Sequence, residues 1–126
     1  MREILFRGKR KDNGEWVKGS LWDEIPGKLV GIATYGSCCF RHVDLATVGQ
    51  FTGLTDKNGT KIFEGDIVTI PGSKMMGLPA PVAYFPKGAV FQIRRNGYNA
   101  ITLWDAEETV EVIGNIHDNP ELMKGA

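Results

Sequence analysis

The fold of this chain is decided by residues 48–70, which read V-G-Q-F-T-G-L-T-D-K-N-G-T-K-I-F-E-G-D-I-V-T-I. Short apolar and β-branched runs alternate there with turn signals at Gly53, at residues 56–59 and at residues 64–66. The Asn-Gly pair at residues 58 and 59 is typical of hairpin turns whose two central residues both need positive φ. The apolar runs are too short to form helices, so the stretch predicts a β-hairpin followed by a further strand.

The composition of the whole chain agrees with that stretch. Sixteen glycines and six prolines in 126 residues indicate many turns between short elements, which favours an all-β, mainly antiparallel fold. The length suits one domain, and a chain of this size buries roughly two-thirds of its extended surface without needing a disulfide or a metal. A hydrophobic content of 42% and a charged content of 24% are those of an ordinary globular protein.

Charge and cysteine content bear on the class of partner and on the cellular compartment. Fifteen basic and fifteen acidic residues cancel, which removes the simplest argument for non-specific nucleic-acid binding but leaves room for a local basic patch. A net charge near zero is also compatible with a homo-oligomer. The adjacent Cys38 and Cys39 are too close for ordinary disulfide geometry and fit a reducing compartment. Since no signal segment or run of ~20 apolar residues is found, we expect a cytoplasmic protein without membrane contact.

Further strands are predicted on both sides of the central stretch. Residues 4–6 and 15–22 form an N-terminal hairpin around a turn at residues 12–14, and Asp44 is expected to cap a single helical turn. The other strand candidates are residues 29–35, 38–43, 81–85, 89–94, 100–104 and 109–116. Gly114 predicts a β-bulge in the last strand, and residues 118–123 predict a short C-terminal helical turn.

The strands after Gly65 suggest a closed architecture. Five short strands separated by turns are what a small, strongly bent barrel needs. The opening Gly65-Asp66-Ile67-Val68 is typical of SH3-like barrels. We therefore predict one domain over residues 1–126, with an N-terminal hairpin lobe (residues 1–47) joined to a small SH3-like β-barrel lobe (residues 48–126).

Three segments carry a family resemblance. T-G-L-T-D-K-N-G-T-K-I-F-E-G-D-I-V (residues 52–68) resembles the signature of the YopX family of phage and prophage proteins. R-E-I-L-F-R-G with the later G-E-W-V-K-G (residues 2–8 and 14–19) and E-V-I-G-N-I-H-D-N-P-E-L (residues 111–122) are similar to that family as well. The resemblance implies a β-rich accessory protein of a temperate phage, acting in the bacterial host. It supplies no catalytic, cofactor or ligand residues.

Two groups of side chains could in principle hold a metal. Cys38, Cys39 and His42 form C-C-x-x-H, but a structural zinc site takes two spaced pairs and no second cysteine pair exists. Glu64 and Asp66, two residues apart, could share a strand face and serve a metal-dependent hydrolase. Turn formation is the commoner role for such acids, so we predict no cofactor, no metal site and no catalytic residues.

Basic and aromatic residues point to nucleic acid as one partner class. Arg94, Arg95 and Tyr98 lie around a tight turn, Lys74 lies in a predicted long loop, and four cations crowd residues 7–11. Small barrels bind single strands by stacking bases on aromatic rings while nearby cations hold the phosphates. Solvated hairpin tips would show the same pattern, since charged residues are usually exposed.

The predicted long loop suggests a protein partner instead. Lys74, Met75, Met76 and Leu78 lie between prolines and glycines, and flexible methionine-rich segments can repack against varied surfaces. The first hypothesis is therefore a non-enzymatic phage or prophage protein that binds a host or phage protein. A nucleic-acid-binding accessory factor is the alternative, and a hydrolase ranks last.

Overall fold

The computed structural model describes residues 3–25, 29–34, 40–71, 79–93, 101–103 and 109–123, and nearly all of their regular structure is antiparallel β-strand. Short 3-10 turns cover Leu45–Thr47 and Pro120–Met123. The strands are β1 (Phe6–Lys9), β2 (Trp16–Ile25), β3 (Leu29–Ala33), β4 (Phe40–Val43), β5 (Gly49–Thr55), β6 (Lys61–Phe63), β7 (Asp66–Thr69), β8 (Ala80–Phe85), β9 (Val90–Ile93), β10 (Ile101–Thr102) and β11 (Glu111–Asn115). The all-β prediction and the C-terminal helical turn are confirmed.

The chain divides into two compact units, Met1–Phe51 and Thr52–Ala126. In the first unit the strands lie in the order β4-β3-β2-β1, and β1 pairs on its other side with the start of β5. Val30, Ile32 and Val43 form the buried core of this unit. They lie on β3 and β4 at alternate positions, so one face of the sheet is apolar and the other faces solvent.

Strand β4 is also joined to the chain just after β1. Arg10 and Val43 form an isolated bridge, the Lys11 amide donates to the carbonyl of His42 at 3.1 Å, and the Asp44 amide donates to the carbonyl of Lys9 at 2.8 Å. These bonds hold the tip of the first hairpin beside β4. Residues 11 and 42, far apart in the sequence, therefore become neighbours.

The segment between β4 and β5 folds as the sequence predicts. The Asp44 carboxylate accepts from the Ala46 amide at 3.1 Å and caps the 3-10 turn. Thr47 is buried, and its hydroxyl donates to the carbonyl of Asp44 while accepting from the Lys9 amide at 2.9 Å. A Thr side chain that serves both partners fixes the turn against β1.

The second unit contains the remainder of β5 followed by β6, and a five-stranded sheet in the order β10-β9-β8-β7-β11. Its core consists of seven apolar side chains that the sheet and its connections bury: Ile62, Val68, Ala80, Val82, Ile93, Leu103 and Val110. The expected SH3-like barrel is not confirmed. Among the described residues β10 and β11 lie at opposite edges of an open sheet, so no ring of strands closes there.

The turn between β5 and β6 differs from the Asn-Gly geometry that the sequence predicts. Among the described non-glycine residues only Ala89 has positive φ, so Asn58 keeps an ordinary conformation and Gly59 alone (φ 83°) is left-handed. The Asp56 carboxylate accepts from the amides of Asn58 and Thr60 at 2.9 Å each. A side chain that bonds the turn amides supports a wider turn than two residues of positive φ would require.

The predicted bulge in β11 is confirmed. The register between β11 and β7 shifts between Val112 and Gly114. A Cβ at Gly114 would lie 2.6 Å from Oδ1 of Asn119, so only glycine allows this approach. Asn119 in turn accepts from the Asn115 amide at 3.2 Å and precedes the C-terminal 3-10 turn. Among the described residues, no helix is long and apolar enough to span a bilayer.

Candidate binding surface

The solvent-facing side of the β2-β3-β4 sheet in the first unit carries a row of aromatic side chains. Trp22 pairs with Gly31 in the register of β2 and β3, and Gly31 pairs with His42 in the register of β3 and β4. Side chains alternate between the two faces of a strand, so Phe40 lies on the same face as His42. Trp22, Phe40 and His42 are called the aromatic row below.

Gly31 makes the row continuous. A Cβ at Gly31 would overlap the Phe40 ring, so the ring lies directly over the glycine. There it contacts both neighbours edge to face, with centroid distances of 5.7 Å to Trp22 and 5.1 Å to His42. T-shaped pairs at these distances are attractive and hold the rings in fixed orientations. Trp22 nevertheless remains 66% exposed, so its ring is available to a partner.

One end of the row borders an open cavity of about 450 Å³. Its lining comes from the tip of the first hairpin, the start of β3 and the strand β4, and consists of Lys11, Asp12, Leu29, Phe40, Arg41 and His42. The bond from the Lys11 amide to the carbonyl of His42 keeps the hairpin tip at this position. A volume of this size is within the range of small-ligand sites in proteins.

The described residues that line the cavity include two cations and one acid. That acid is Asp12, and Arg10 engages both oxygens of its carboxylate, with Nε at 2.9 Å from Oδ1 and Nη2 at 2.6 Å from Oδ2. The hydrogen bond from Arg10 lowers the pKa of Asp12, which keeps the pair ionised. Within the described residues, neither Lys11 nor Arg41 forms an ion pair with a carboxylate. The described part of the cavity lining therefore favours an anionic ligand.

Two other cations of the first hairpin contact an aromatic ring. The Arg7 guanidinium lies 4.8 Å from the centroid of Trp16, and Nζ of Lys9 lies 5.6 Å from it. Arg7 is buried, so its charge is part of the packing of β1 against β2. Of the cations that the sequence places at residues 7–11, Lys11 alone lines the cavity.

Most of the other residues predicted from the sequence as sites lie outside the described residues. They include the candidates for nucleic-acid binding, for protein contact and for thiol chemistry. These are Arg94, Arg95, Tyr98 and Lys74, then Met75, Met76 and Leu78, and finally Cys38 and Cys39. His42, the third member of the C-C-x-x-H motif, lies in the aromatic row.

Glu64 and Asp66 are located, and their geometry is that of a turn. Glu64 lies in the turn between β6 and β7, while Asp66 starts β7 and is buried. Oδ2 of Asp66 accepts from the Phe63 amide at 2.8 Å. No three His, Cys, Asp or Glu side chains converge anywhere in the described ranges. The arrangement supports the turn-forming role for Asp66.

Sequence reasoning missed the aromatic row because its members come from separate strands. Trp22 and His42 are brought together only by the register of β3 between them, and register is not visible in composition or motif. A signal did exist in Gly31, a glycine inside an otherwise apolar strand. Such a glycine often marks close approach by another group, which here is the ring of Phe40.

Comparisons with known proteins agree with the sequence resemblance. A family model described as "YopX protein" matches residues 5–124. Among solved structures, protein EF1440 from Enterococcus faecalis is similar, with a TM-score of 0.58 and 24% identity, over 98% of this chain and 100% of that chain. At that identity the likeness shows a shared fold. No curated protein matches the chain.

Proposed function

Starting from the fact that this chain belongs to the YopX family, we propose that it is a non-enzymatic accessory protein of a phage or prophage. In this proposal it acts in the cytoplasm of the bacterial host by binding a host or phage macromolecule. The phage setting rests on the family resemblance of its sequence segments.

The observation that carries the proposal is the aromatic row with its exposed Trp22. Large aromatic side chains are enriched where proteins bind one another, because they bury much area at a low cost in conformational entropy. An antiparallel sheet holds these rings, and the absence of a side chain at Gly31 gives the central ring its place. Side chains that already contact one another lose less conformational freedom when a partner binds, which reduces the entropic cost of association.

The predicted loop remains a second candidate surface. Lys74, Met75, Met76 and Leu78 belong to the first hypothesis, a protein partner bound through a variable loop. Arg94, Arg95 and Tyr98 belong to the nucleic-acid alternative. Each set requires its own variant in the experiment, because a partner could depend on the loop, on the basic turn or on the aromatic row.

Affinity capture from lysogenic host cells tests the proposal, with the bound material analysed for protein by mass spectrometry and for nucleic acid by sequencing. The baits are the wild-type chain, Trp22→Ala, and Tyr84→Ala as a matched control. Tyr84 is also an exposed aromatic residue on a strand, but it lies in the second unit. A deletion of residues 74–79 and the Arg94→Ala/Arg95→Ala double variant complete the set.

We expect a macromolecule that the wild type and Tyr84→Ala retain and that Trp22→Ala loses. If retention depends on residues 74–79 or on the two arginines, the binding function is correct but the binding surface is not the aromatic row. If no bait retains anything above an unrelated β-protein, the binding function is wrong.

A further inference from the structure

The aromatic row and the cavity beside it form one surface with two kinds of contact. The row offers aromatic rings to a partner, and Trp22 is 66% exposed. The cations Lys11 and Arg41 are among the described residues that line the cavity, and Nη1 of Arg41 lies 3.4 Å from the carbonyl of Phe40. Asp12, the one acid among those described residues, is already paired with Arg10. A partner that fits both parts carries flat π systems and negative charges close together.

We infer that this surface binds single-stranded nucleic acid, with a base stacked on Trp22 and with backbone phosphates held by Lys11 and Arg41. The inference rests on the proposed binding function and names the class of its partner. Proteins that bind single strands combine these elements, namely aromatic platforms for the bases and cations along the backbone.

The extent of the surface favours a strand over a free nucleotide. The cavity alone, about 450 Å³ in volume, has room for a small ligand. Trp22 does not line that cavity, and its ring lies one aromatic neighbour further along, at 5.7 Å from Phe40. A mononucleotide in the cavity would not contact Trp22, whereas a single strand can contact the cavity and Trp22 together.

The geometry disfavours a duplex and an acidic protein segment. A duplex presents phosphates but keeps its base faces stacked inside, so it could use the two cations and not the ring of Trp22. An acidic peptide would satisfy Lys11 and Arg41, yet its carboxylates bring no flat surface to the aromatic row. Both remain outcomes of the experiment.

Fluorescence anisotropy of labelled 12-nucleotide oligo(dT) and oligo(U), titrated with the full chain at several salt concentrations, tests the inference. We expect Trp22→Ala to weaken binding about 10-fold, as the loss of one stacked base does, and Trp22→Phe to retain most of the affinity. The control Tyr84→Ala should bind like the wild type.

The cations give a second, independent readout. In Lys11→Ala/Arg41→Ala, the slope of log K against log salt should fall by about 1.4, because each phosphate contact on a single strand contributes about 0.7. Lys57→Ala is the matched control, since Lys57 is an exposed cation of the second unit that pairs with Glu111 at 3.6 Å. Its slope should equal that of the wild type.

Several results would overturn the inference. It is wrong if the oligonucleotides fail to bind at 50 mM salt, if duplex binds more tightly than single strands, or if thymidine monophosphate binds as tightly as the oligomer. Equal affinity of Trp22→Ala and Tyr84→Ala, or a loss of affinity only in Arg94→Ala/Arg95→Ala, would overturn it as well. If the oligonucleotides do not bind but a protein is captured in a Trp22-dependent way, the inference is wrong and the proposed function stands. If both experiments are negative, the inference and the proposed function are both wrong.

Discussion

Replacing Asp56 tests how the turn between β5 and β6 is held. Asp56 is only 6% exposed, and its Oδ1 accepts from the amides of Asn58 and Thr60. Its Oδ2 accepts from the Val112 amide at 3.0 Å, a bond that spans 56 residues of sequence and joins the turn to β11. The Lys57 amide adds a bond to the carbonyl of Val110 at 3.0 Å.

Asp56→Asn keeps the shape of the side chain and removes one acceptor. If the side-chain oxygen of the variant accepts from the two turn amides, its NH₂ group faces the N–H of Val112, and two donors cannot form a hydrogen bond. The flipped amide restores the bond to Val112 but places the NH₂ group against the two turn amides. A hydrogen bond to a charged group contributes about 1.5–3 kcal/mol, so we expect the free energy of unfolding to fall by about 2–3 kcal/mol.

Urea unfolding followed by circular dichroism measures this loss. With a slope of about 2 kcal/mol/M, the midpoint should fall by roughly 1–1.5 M. Asp44→Ala is the matched control, because the exposed Asp44 carboxylate accepts from a single amide, that of Ala46. It should cost about 1 kcal/mol or less. A midpoint for Asp56→Asn equal to that of the control would refute the reasoning.

The same residue predicts a pH dependence. Burial by itself would raise the pKa of Asp56, but the bonds from the amides of Val112, Thr60 and Asn58 outweigh burial and lower it. A lowered folded pKa means that the ionised group stabilises the fold above its unfolded value of about 3.9, and that this stability is lost as the pH falls below it. The difference between wild type and Asp56→Asn should therefore be full at pH 7 and shrink at about pH 3. An unchanged difference at pH 3 would contradict this assignment.

Four further substitutions test the packing and one turn, each by the free energy of unfolding. Gly114→Ala should destabilise by about 1–3 kcal/mol, because its Cβ would press on Asn119 and overpack the bulge, and nuclear magnetic resonance should show changed shifts over residues 119–123. Ile62→Ala should cost about 2–5 kcal/mol since Ile62 is fully buried, whereas Ile113→Ala, on a side chain 38% exposed, should cost less than about 1 kcal/mol; equal costs would refute the core assignment. Gly59→Ala should cost about 1–2 kcal/mol through its positive φ, and a neutral result would show that the turn relaxes.

The sequence predicted the local elements of this protein well. The first hairpin, the cap at Asp44, the bulge at Gly114 and the turn at residues 118–123 all follow from turn chemistry, which acts over a few residues. The closed SH3-like barrel was predicted from strand count and is not confirmed. Strand count does not determine closure, because closure depends on which edges pair, and edge pairing is a long-range property of the chain.

The aromatic row and the cavity beside it were not predicted from the sequence. The basic and aromatic residues that were predicted as a site, Arg94, Arg95 and Tyr98, lie outside the described residues and stay a prediction. The sequence emphasised residues 94–98 because their cations and ring are adjacent along the chain. A cluster built across three strands leaves no such local pattern, and only the register shows that Trp22 belongs to it.

The longest segment that carries the family resemblance uses several of its polar groups to hold turns of the fold, and this bears on where a binding site can lie. In residues 52–68, Asp56 bonds three backbone amides, Asp66 bonds the amide of Phe63, and Gly65 (φ 88°) donates to the carbonyl of Val82 and accepts from the Ile116 amide, each at 2.9 Å. Replacing these groups would break bonds that hold the turns, so a change there disturbs the fold first. The recognisable motif therefore specifies the scaffold, and the binding that we propose is assigned to side chains outside it. The aromatic row at residues 22, 40 and 42 meets that condition, because its rings hold no turn and changing Trp22 should leave the fold intact.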